Sequence, residues 1–460
     1  MEFKTELFPY QKIGADKLGK VKVGALYMEM GTGKTRTALE LAKRRLDAGK
    51  VSQILWLCPY SVQMDLPELL AEHASGFEDI IKIAGIESLS SSQRLVDELI
   101  QYVSSAKTFL IVDESLLVKN PDAYRTKNVL RISKLCSYKL ILNGTPISKN
   151  IADLFSQWYI LDWRILGYRS WWSFSANHLE WDPDRPGRVI RAHNVDYLAR
   201  KIAPYTYEVK KSDVVDLPHK SYISEDFYLT DEQQEHYDEM VEYFVNEMDD
   251  LKPSTIYQMM TALQLITSGY VIRVRNNHIE KFVAYSPEEN PRINALLDVI
   301  QKIGNEQAVI YCKYEQEIKD ILTVLGDKAI PFTGELTKEQ RQENKNKFKN
   351  GEVQFFVANK SCARFGLNLQ FCHIEIFYSN DFDYGTRSQA EDRVHRIGQD
   401  QPVKIYDVSA MNTIDESIWR CLIKKENLLH SFKQSVNRHN LDDIESFMKG
   451  EIHGKNIQQK

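Results

Sequence analysis

The stretch that most constrains this 460-residue chain is Met30-Gly31-Thr32-Gly33-Lys34-Thr35, set between the apolar run Ala25 to Met28 and the helix-patterned Arg36 to Arg45. An apolar strand, a glycine turn, Lys-Thr and then a helix aim backbone N–H groups and a helix N-terminus at a phosphate chain. Gly31 and Gly33 let the backbone approach closely, Lys34 reaches the β- and γ-phosphates, and the Thr35 hydroxyl is suited to magnesium. A strict pattern has a further glycine where this chain has Met28, so the match is to a looser variant. The reading is a nucleoside triphosphate site with Mg2+ as its metal.

Upstream, Phe8-Pro9-Tyr10-Gln11 precedes an amphipathic stretch. A glutamine amide can pair with the N6/N7 edge of adenine while a neighbouring aromatic ring covers its face, so Gln11 and Tyr10 are base-contact candidates. Downstream, the continuous apolar run Ile54 to Cys58 ends at Pro59, as a strand buried on both faces would. Ser61, just beyond it, either faces a nucleic-acid backbone or caps a helix. A second such run, Phe109 to Val112, leads directly into Asp113-Glu114. Two adjacent carboxylates at the end of a buried strand are costly unless a metal or a water uses them. Asp113 is therefore expected to hold the magnesium and Glu114 to act as general base on the attacking water. The strand Lys139 to Leu142 then meets Asn143-Gly144-Thr145-Pro146-Ile147, a turn suited to a hinge between nucleotide state and a second ligand.

Texture changes from about residue 151 to 290, which holds five of the seven tryptophans, Trp158, Trp163, Trp171, Trp172 and Trp181, and long helical patterns. A mostly helical insertion is expected there, its indoles used for core packing or as stacking platforms for bases. A second α/β pattern begins near Pro291 without a phosphate loop, and the charged run Lys338 to Lys349 reads as a solvated helix face. Gln389 to Gln399 supplies what the first half lacks. Arg393 and Arg396 are three apart, so a continuous helix would project both from one face, where two guanidinium forks could neutralise charge building on a γ-phosphate.

Composition sets wide bounds. With 59 Lys plus Arg against 64 Asp plus Glu, a polyanion would need a local basic face, so net charge leaves nucleic acid open. The six cysteines stand singly with no CxxC spacing, as buried thiols of a reducing compartment do. The start of the sequence has no signal-peptide pattern, and no apolar run approaches the roughly 18 residues of a membrane span. A soluble, cytoplasmic protein is expected, monomeric and without membrane contact.

Assembled, these segments resemble the Swi/Snf-type branch of the helicase superfamily two ATPases over nearly the whole chain. Gln389-Ala390-Glu391-Asp392-Arg393 with His395-Arg396-Ile397-Gly398-Gln399 is the most specific element. Tyr10-Gln11, Glu29 to Thr35, Cys58-Pro59, Asp113-Glu114 with Lys119-Asn120-Pro121, Gly144 to Ile147, Leu217-Pro218 and Gly366 to Leu369 follow the family order. The resemblance implies an α/β chain of two RecA-like parallel-sheet lobes with a mostly helical insertion, and ATP-driven translocation along double-stranded DNA. Its lobes are expected at 1–150 and 291–425, the insertion and linker at 151–290 and a tail at 426–460, insertion or tail offering a surface for a protein partner. It also implies that Gln389 joins Lys34, Glu114, Arg393 and Arg396 in catalysis, that Gly366 joins Tyr10, Gln11 and Met30 to Thr35 at the nucleotide, and that Ser61, Thr145, Thr333 and Asn368 touch nucleic acid. A strand-separating DNA or RNA helicase, or an ATP-switched scaffold for a partner protein, would share the same ATPase residues. Two departures stand out: Ser115-Leu116 replaces the histidine-bearing end of the acidic box, and Cys362 to Phe365 replaces a glycine-rich approach to Gly366.

Overall fold

The computed structural model describes residues 1–144, 147, 151–183, 189–214, 216–246, 253–275, 278–283, 285–359, 368–382, 384–424 and 448–449. The chain divides into two units, Met1–Asp216 and Leu217–Lys460.

In the first unit, helix α1 (Pro9–Gly19) leads to strand β1 (Val23–Met28) and helix α2 (Lys34–Asp47). Strands β2 (Gln53–Cys58), β3 (Ile81–Gly85), β4 (Thr108–Val112) and β5 (Tyr138–Asn143) follow, then helix α3 (Ala152–Leu166) and strand β6 (Thr206–Val209). They form one parallel sheet in the order β6-β1-β5-β4-β2-β3. The apolar runs are continuous because both faces are covered: along β2, Ile54, Trp56 and Cys58 enter one core while Leu55 and Leu57 enter the other. The sheet's carboxyl edge therefore carries both the glycine loop after β1 and Asp113 after β4.

The second unit repeats the plan with strands β7 (Lys220–Phe227), β8 (Ala308–Cys312), β9 (Ala329–Phe332), β10 (Phe355–Asn359), β11 (Ile374–Phe377) and β12 (Val403–Ala410). Their parallel order is β7-β12-β11-β8-β10-β9. Helices α4 (Asp231–Asn246), α5 (Pro253–Thr267), α6 (Pro291–Ile303), α7 (Lys338–Lys349), α8 (Tyr384–Val394) and α9 (Ile414–Ile423) surround it. Helices α4, α5 and α9 share a core of their own, into which Met448 of the C-terminal segment packs; Tyr237 Oη donates to its carbonyl at 2.7 Å. Two such sheets make two RecA-like lobes.

Residues 151–290 contribute a strand to each sheet. Within the intervening stretch, β6 pairs with β1 (Thr206 opposite Ala25, Val209 opposite Met28) and β7 pairs with β12, so each completes a lobe as an edge strand. Two short hairpins, Leu179–Trp181 with Val189–Ala192 and Tyr270–Arg275 with His278–Val283, also interrupt the helices. Short edge strands carry little apolar patterning, so their pairing is decided by backbone bonds to distant residues. Most of the tryptophans are packing residues: Trp158 is fully buried with its ring edge-on to Tyr27, and Trp171 packs on Phe155 and Phe174. Trp172, 81% exposed, and Trp181, 39% exposed, reach the surface. The described cysteines, Cys58, Cys136, Cys312, Cys372 and Cys421, are all buried. Among the described residues, no helix is long and apolar enough to cross a membrane.

Candidate nucleotide site

The glycine loop is shaped by two left-handed residues, Gly31 (φ 78°) and Gly33 (φ 83°). Gly33 stands immediately before α2, so the first N–H groups of that helix open toward the loop. The turn is closed from within: Thr32 Oγ1 donates to the Glu29 carbonyl at 2.7 Å, and Lys34 Nζ donates to the Met28 carbonyl at 2.8 Å. Helix α2 is held from behind by Arg36, whose guanidinium lies 3.6 Å over the Phe3 ring and donates to the Thr5 carbonyl.

Gln11 is 2% exposed and its amide is turned onto the loop. Nε2 donates to the Thr32 carbonyl at 3.1 Å and more weakly to that of Gly33 at 3.5 Å, while Oε1 accepts from the Phe8 N–H at 3.0 Å. Tyr10 Oη also donates to the Thr32 carbonyl at 3.1 Å, and burial pushes its hydroxyl up to about 12. Tyr10 and Gln11 thus brace the loop's backbone, a contact across 21 or 22 residues that sequence spacing does not announce. A methyl group on Gly33 would run into the Gln11 amide, so loop and glutamine are fitted to one another.

At the end of β4, Asp113 is held by its own N–H donating to the Leu57 carbonyl at 2.7 Å. Burial pushes its carboxyl up to about 7; neighbouring Glu114 raises it further and Lys34 opposes both. Glu114 has a left-handed backbone (φ 47°) and its N–H donates to Asp113 Oδ1 at 3.0 Å. Its only non-glycine companions of positive φ among the described residues are Asn194 and Asn412, and asparagine tolerates that region. An acidic residue held there costs about 1–3 kcal/mol of backbone strain, stored at the turn after β4. Beyond it, Ser115 Oγ donates to Gln157 Oε1 on α3 at 2.6 Å and accepts from Asn143 Nδ2 at 3.4 Å, all three buried. This buried hydroxyl ties the acidic box to the end of β5. Gly144 lies beside the loop: a Cβ there would stand 3.7 Å from Lys34 Nζ and from Met30, an ordinary contact distance.

One sheet edge thus gathers Met30 to Thr35, Tyr10, Gln11, Asp113 and Glu114. Ser61 lies inside the short helix Tyr60–Gln63 and caps nothing; Glu87 takes the Tyr60 N–H at 2.8 Å. Thr145 and Gly366 lie outside the described residues. Thr333 follows β9.

In the second unit, Gln389 and Arg393 lie on α8, but that helix ends at Val394, so Arg396 does not continue its face. The reason is tertiary: the Arg393 carbonyl accepts the Leu369 N–H at 3.0 Å, and the chain turns at Gly398 (φ 98°). Arg396 instead donates to the Asn368 side chain. Sequence reasoning passed over Arg387 and Glu391 on the same helix. Buried Arg387 pairs with Asp407 and Glu391, and Glu391 also takes Lys220 Nζ at 2.7 Å. Burial works against the Glu391 carboxylate, but Arg387 and Lys220 outweigh it and hold the group below its ordinary range.

Comparison with known proteins matches the SNF2-related domain to residues 63–278 and the helicase conserved C-terminal domain to residues 291–398. The chain is 26% identical over 342 residues to an uncharacterized ATP-dependent helicase of Mycoplasma genitalium, covering 72% of this chain and 31% of that protein. It is 24% identical over 456 residues to the uncharacterized ATP-dependent helicase YqhH of Bacillus subtilis, covering 90% and 76%. It thus spans less than a third of the first relative's length. A solved structure, the Sulfolobus solfataricus SWI2/SNF2 ATPase core in complex with dsDNA, is 23% identical with 98% of each chain covered and a TM-score of 0.41.

Proposed function

The chain belongs to the Snf2-type helicase-like ATPases, and from that premise we propose that it hydrolyses ATP and uses the cycle to move along duplex DNA. The carrying observation is the convergence, on one sheet edge, of the glycine loop and Lys34 with a half-buried carboxyl pair whose second member has a left-handed backbone.

Lys34 exchanges the Met28 carbonyl for the β- and γ-phosphates, and the N–H groups at the start of α2 take the remaining phosphate oxygens. Hard oxygen donors, the Asp113 carboxylate and the Thr35 hydroxyl, fit Mg2+, and the charge of the half-buried Asp113–Glu114 pair is what a dication would neutralise. When bound, the ion supplies charge neutralisation at the β- and γ-phosphate oxygens. Glu114 takes the proton of the attacking water. Arg393 and Arg396, with Gln389, are assigned to the γ-phosphate from the second unit, and Gly366 to the nucleotide. Ser61, Thr145, Thr333 and Asn368 are assigned to the DNA backbone, where affinity falls steeply with salt.

The test is ATP turnover by the full chain without nucleic acid, then with single- or double-stranded DNA or RNA, alongside displacement of a third strand from a triplex. Duplex DNA should stimulate most, and Lys34→Ala and Glu114→Gln should each lower kcat by at least about 100-fold, as loss of a phosphate clamp or general base does. Unchanged turnover in either variant sinks the site. Unwinding of a forked duplex would favour a strand-separating helicase; no stimulation by any nucleic acid would favour a partner-protein switch.

A further inference from the structure

The chain has fewer cations than carboxylates, yet one groove of the first unit gathers them. It lies between the last turns of α1 and α2, at the edge of the sheet opposite the glycine loop. Lys20, Arg44, Arg45 and Lys50 line it against one carboxylate, Asp16, with Leu41 as its apolar wall. Arg44 is paired: Nη1 donates to Asp16 at 2.7 Å and Nε to Glu40 at 2.9 Å, while Glu40 is also matched by Arg36. The Arg44 bond, with Lys12 and Lys20 four residues to either side on α1, holds the Asp16 carboxyl below its ordinary range. The groove's one acid thus sits in a positive field.

Arg45 differs from its neighbour. It is 3% exposed, its guanidinium lies 4.1 Å over the Phe109 ring, and Nη2 donates to the Leu18 and Val21 carbonyls at 3.3 and 3.2 Å. Nε and Nη1 find no acceptor among the described residues, and no carboxylate there pairs with the group. Burial draws the guanidinium down to about 10. A buried charge without a counter-charge is costly, and an anion beside it lowers the cost. The helix-end carbonyls that would repel an anion are already taken. Arg45 covers that of Leu18 in α1, and the N–H groups of Ala48, Gly49 and Lys50 cover those of Arg44, Leu46 and Arg45 in α2.

The groove encloses about 470 Å³, within the roughly 300–1,000 Å³ of small-molecule sites. Four cations against one carboxylate suit a polyvalent anion better than a singly charged one. A duplex carries its phosphates on a convex surface, whereas a cleft of this size suits a free anion. We propose that the groove binds a small polyvalent phosphate of the pyrophosphate or nucleoside diphosphate class, with Lys20 and Lys50 as exposed ligands and Arg45 as the buried charge beside it. The site is separate from the phosphate loop, since Arg45 follows Lys34 by eleven residues on α2, about 16 Å of helix. It does not depend on the nucleotide site proposed above.

The test is isothermal titration of pyrophosphate into the full chain at low salt without magnesium. The native chain is compared with Lys34→Ala, which disarms the phosphate loop, and with the double variant Lys20→Glu, Lys50→Glu, whose side chains are both exposed. Lys34→Ala should still bind pyrophosphate at the groove, whereas the double charge reversal should weaken that binding at least about tenfold and leave ATP turnover within about twofold of native. In the Lys34→Ala chain, ADP that competes with pyrophosphate identifies a nucleotide as the source of the diphosphate, and ADP that does not identifies the free anion; either supports the site. Pyrophosphate binding that vanishes with Lys34→Ala, or that the charge reversal leaves within about twofold, overturns it. So does a native chain that binds no pyrophosphate while the charge reversal weakens duplex DNA binding, which would make this face a nucleic-acid surface.

Discussion

Replacing Asp113 by asparagine should stabilise the first unit while abolishing turnover, and the size of the gain follows from the burial of its carboxyl. The group is pushed from 3.8 to about 7, with burial the largest cause and Glu114 the second. A raised carboxyl binds its proton more tightly in the folded than in the unfolded chain. Its contribution is therefore fully present below about pH 4 and is lost as pH rises through about 7. Three units correspond to about 4 kcal/mol at 1.36 kcal/mol each, a ceiling because the shift is shared with Glu114; about 2–4 kcal/mol is expected. Asparagine keeps the shape and an oxygen for the Glu114 N–H, at 3.0 Å from Oδ1 in the native chain, but has no charge to desolvate. For a unit of this size the gain is roughly 5–10 °C in Tm above pH 7.5, shrinking toward zero near pH 4. Scanning calorimetry in EDTA across pH 4.5–8.5 measures it. Added magnesium should raise the Tm of the native chain and leave that of the variant nearly unmoved. A Tm difference that does not widen between pH 5 and pH 8, or a variant that melts lower at pH 8, would refute the desolvation argument.

Gly33→Ala places a side chain at φ 83° against the Gln11 amide; affinity for a fluorescent ATP analogue, read by titration, should fall at least tenfold, because about 1 kcal/mol of strain adds to loss of the loop's brace. Ser115→Ala removes the buried 2.6 Å bond to Gln157 and should destabilise the first unit by about 1–2 kcal/mol in urea unfolding, lowering kcat more than ATP affinity. In the second unit, buried Arg292 donates to Asp415, to the Thr267 carbonyl and hydroxyl and to the Tyr378 carbonyl. Arg292→Ala should cost about 3–5 kcal/mol by the same measurement, and the apolar pair Arg292→Met with Asp415→Leu should restore much of it, as replacing both members of a buried pair does.

The amino-acid sequence alone determined the elements whose signal is local. Apolar runs such as Ile54 to Cys58 had to become strands covered on both faces, glycines at 31 and 33 had to make a turn that other residues resist, and Asp113-Glu114 had to fall where a buried strand ends. Each follows from side-chain chemistry within a few residues of backbone. Tertiary structure decided the rest. It turned the Gln11 amide onto the loop, stopped α8 at Val394 by lending the Arg393 carbonyl to Leu369, and raised the Asp113 carboxyl by removing its water. It also drew Thr206–Val209 and Lys220–Phe227 out of a helical region to edge the two sheets. Those outcomes depend on backbone hydrogen bonds and desolvation between residues distant in the chain, and neither leaves a periodicity or spacing in the sequence to be read.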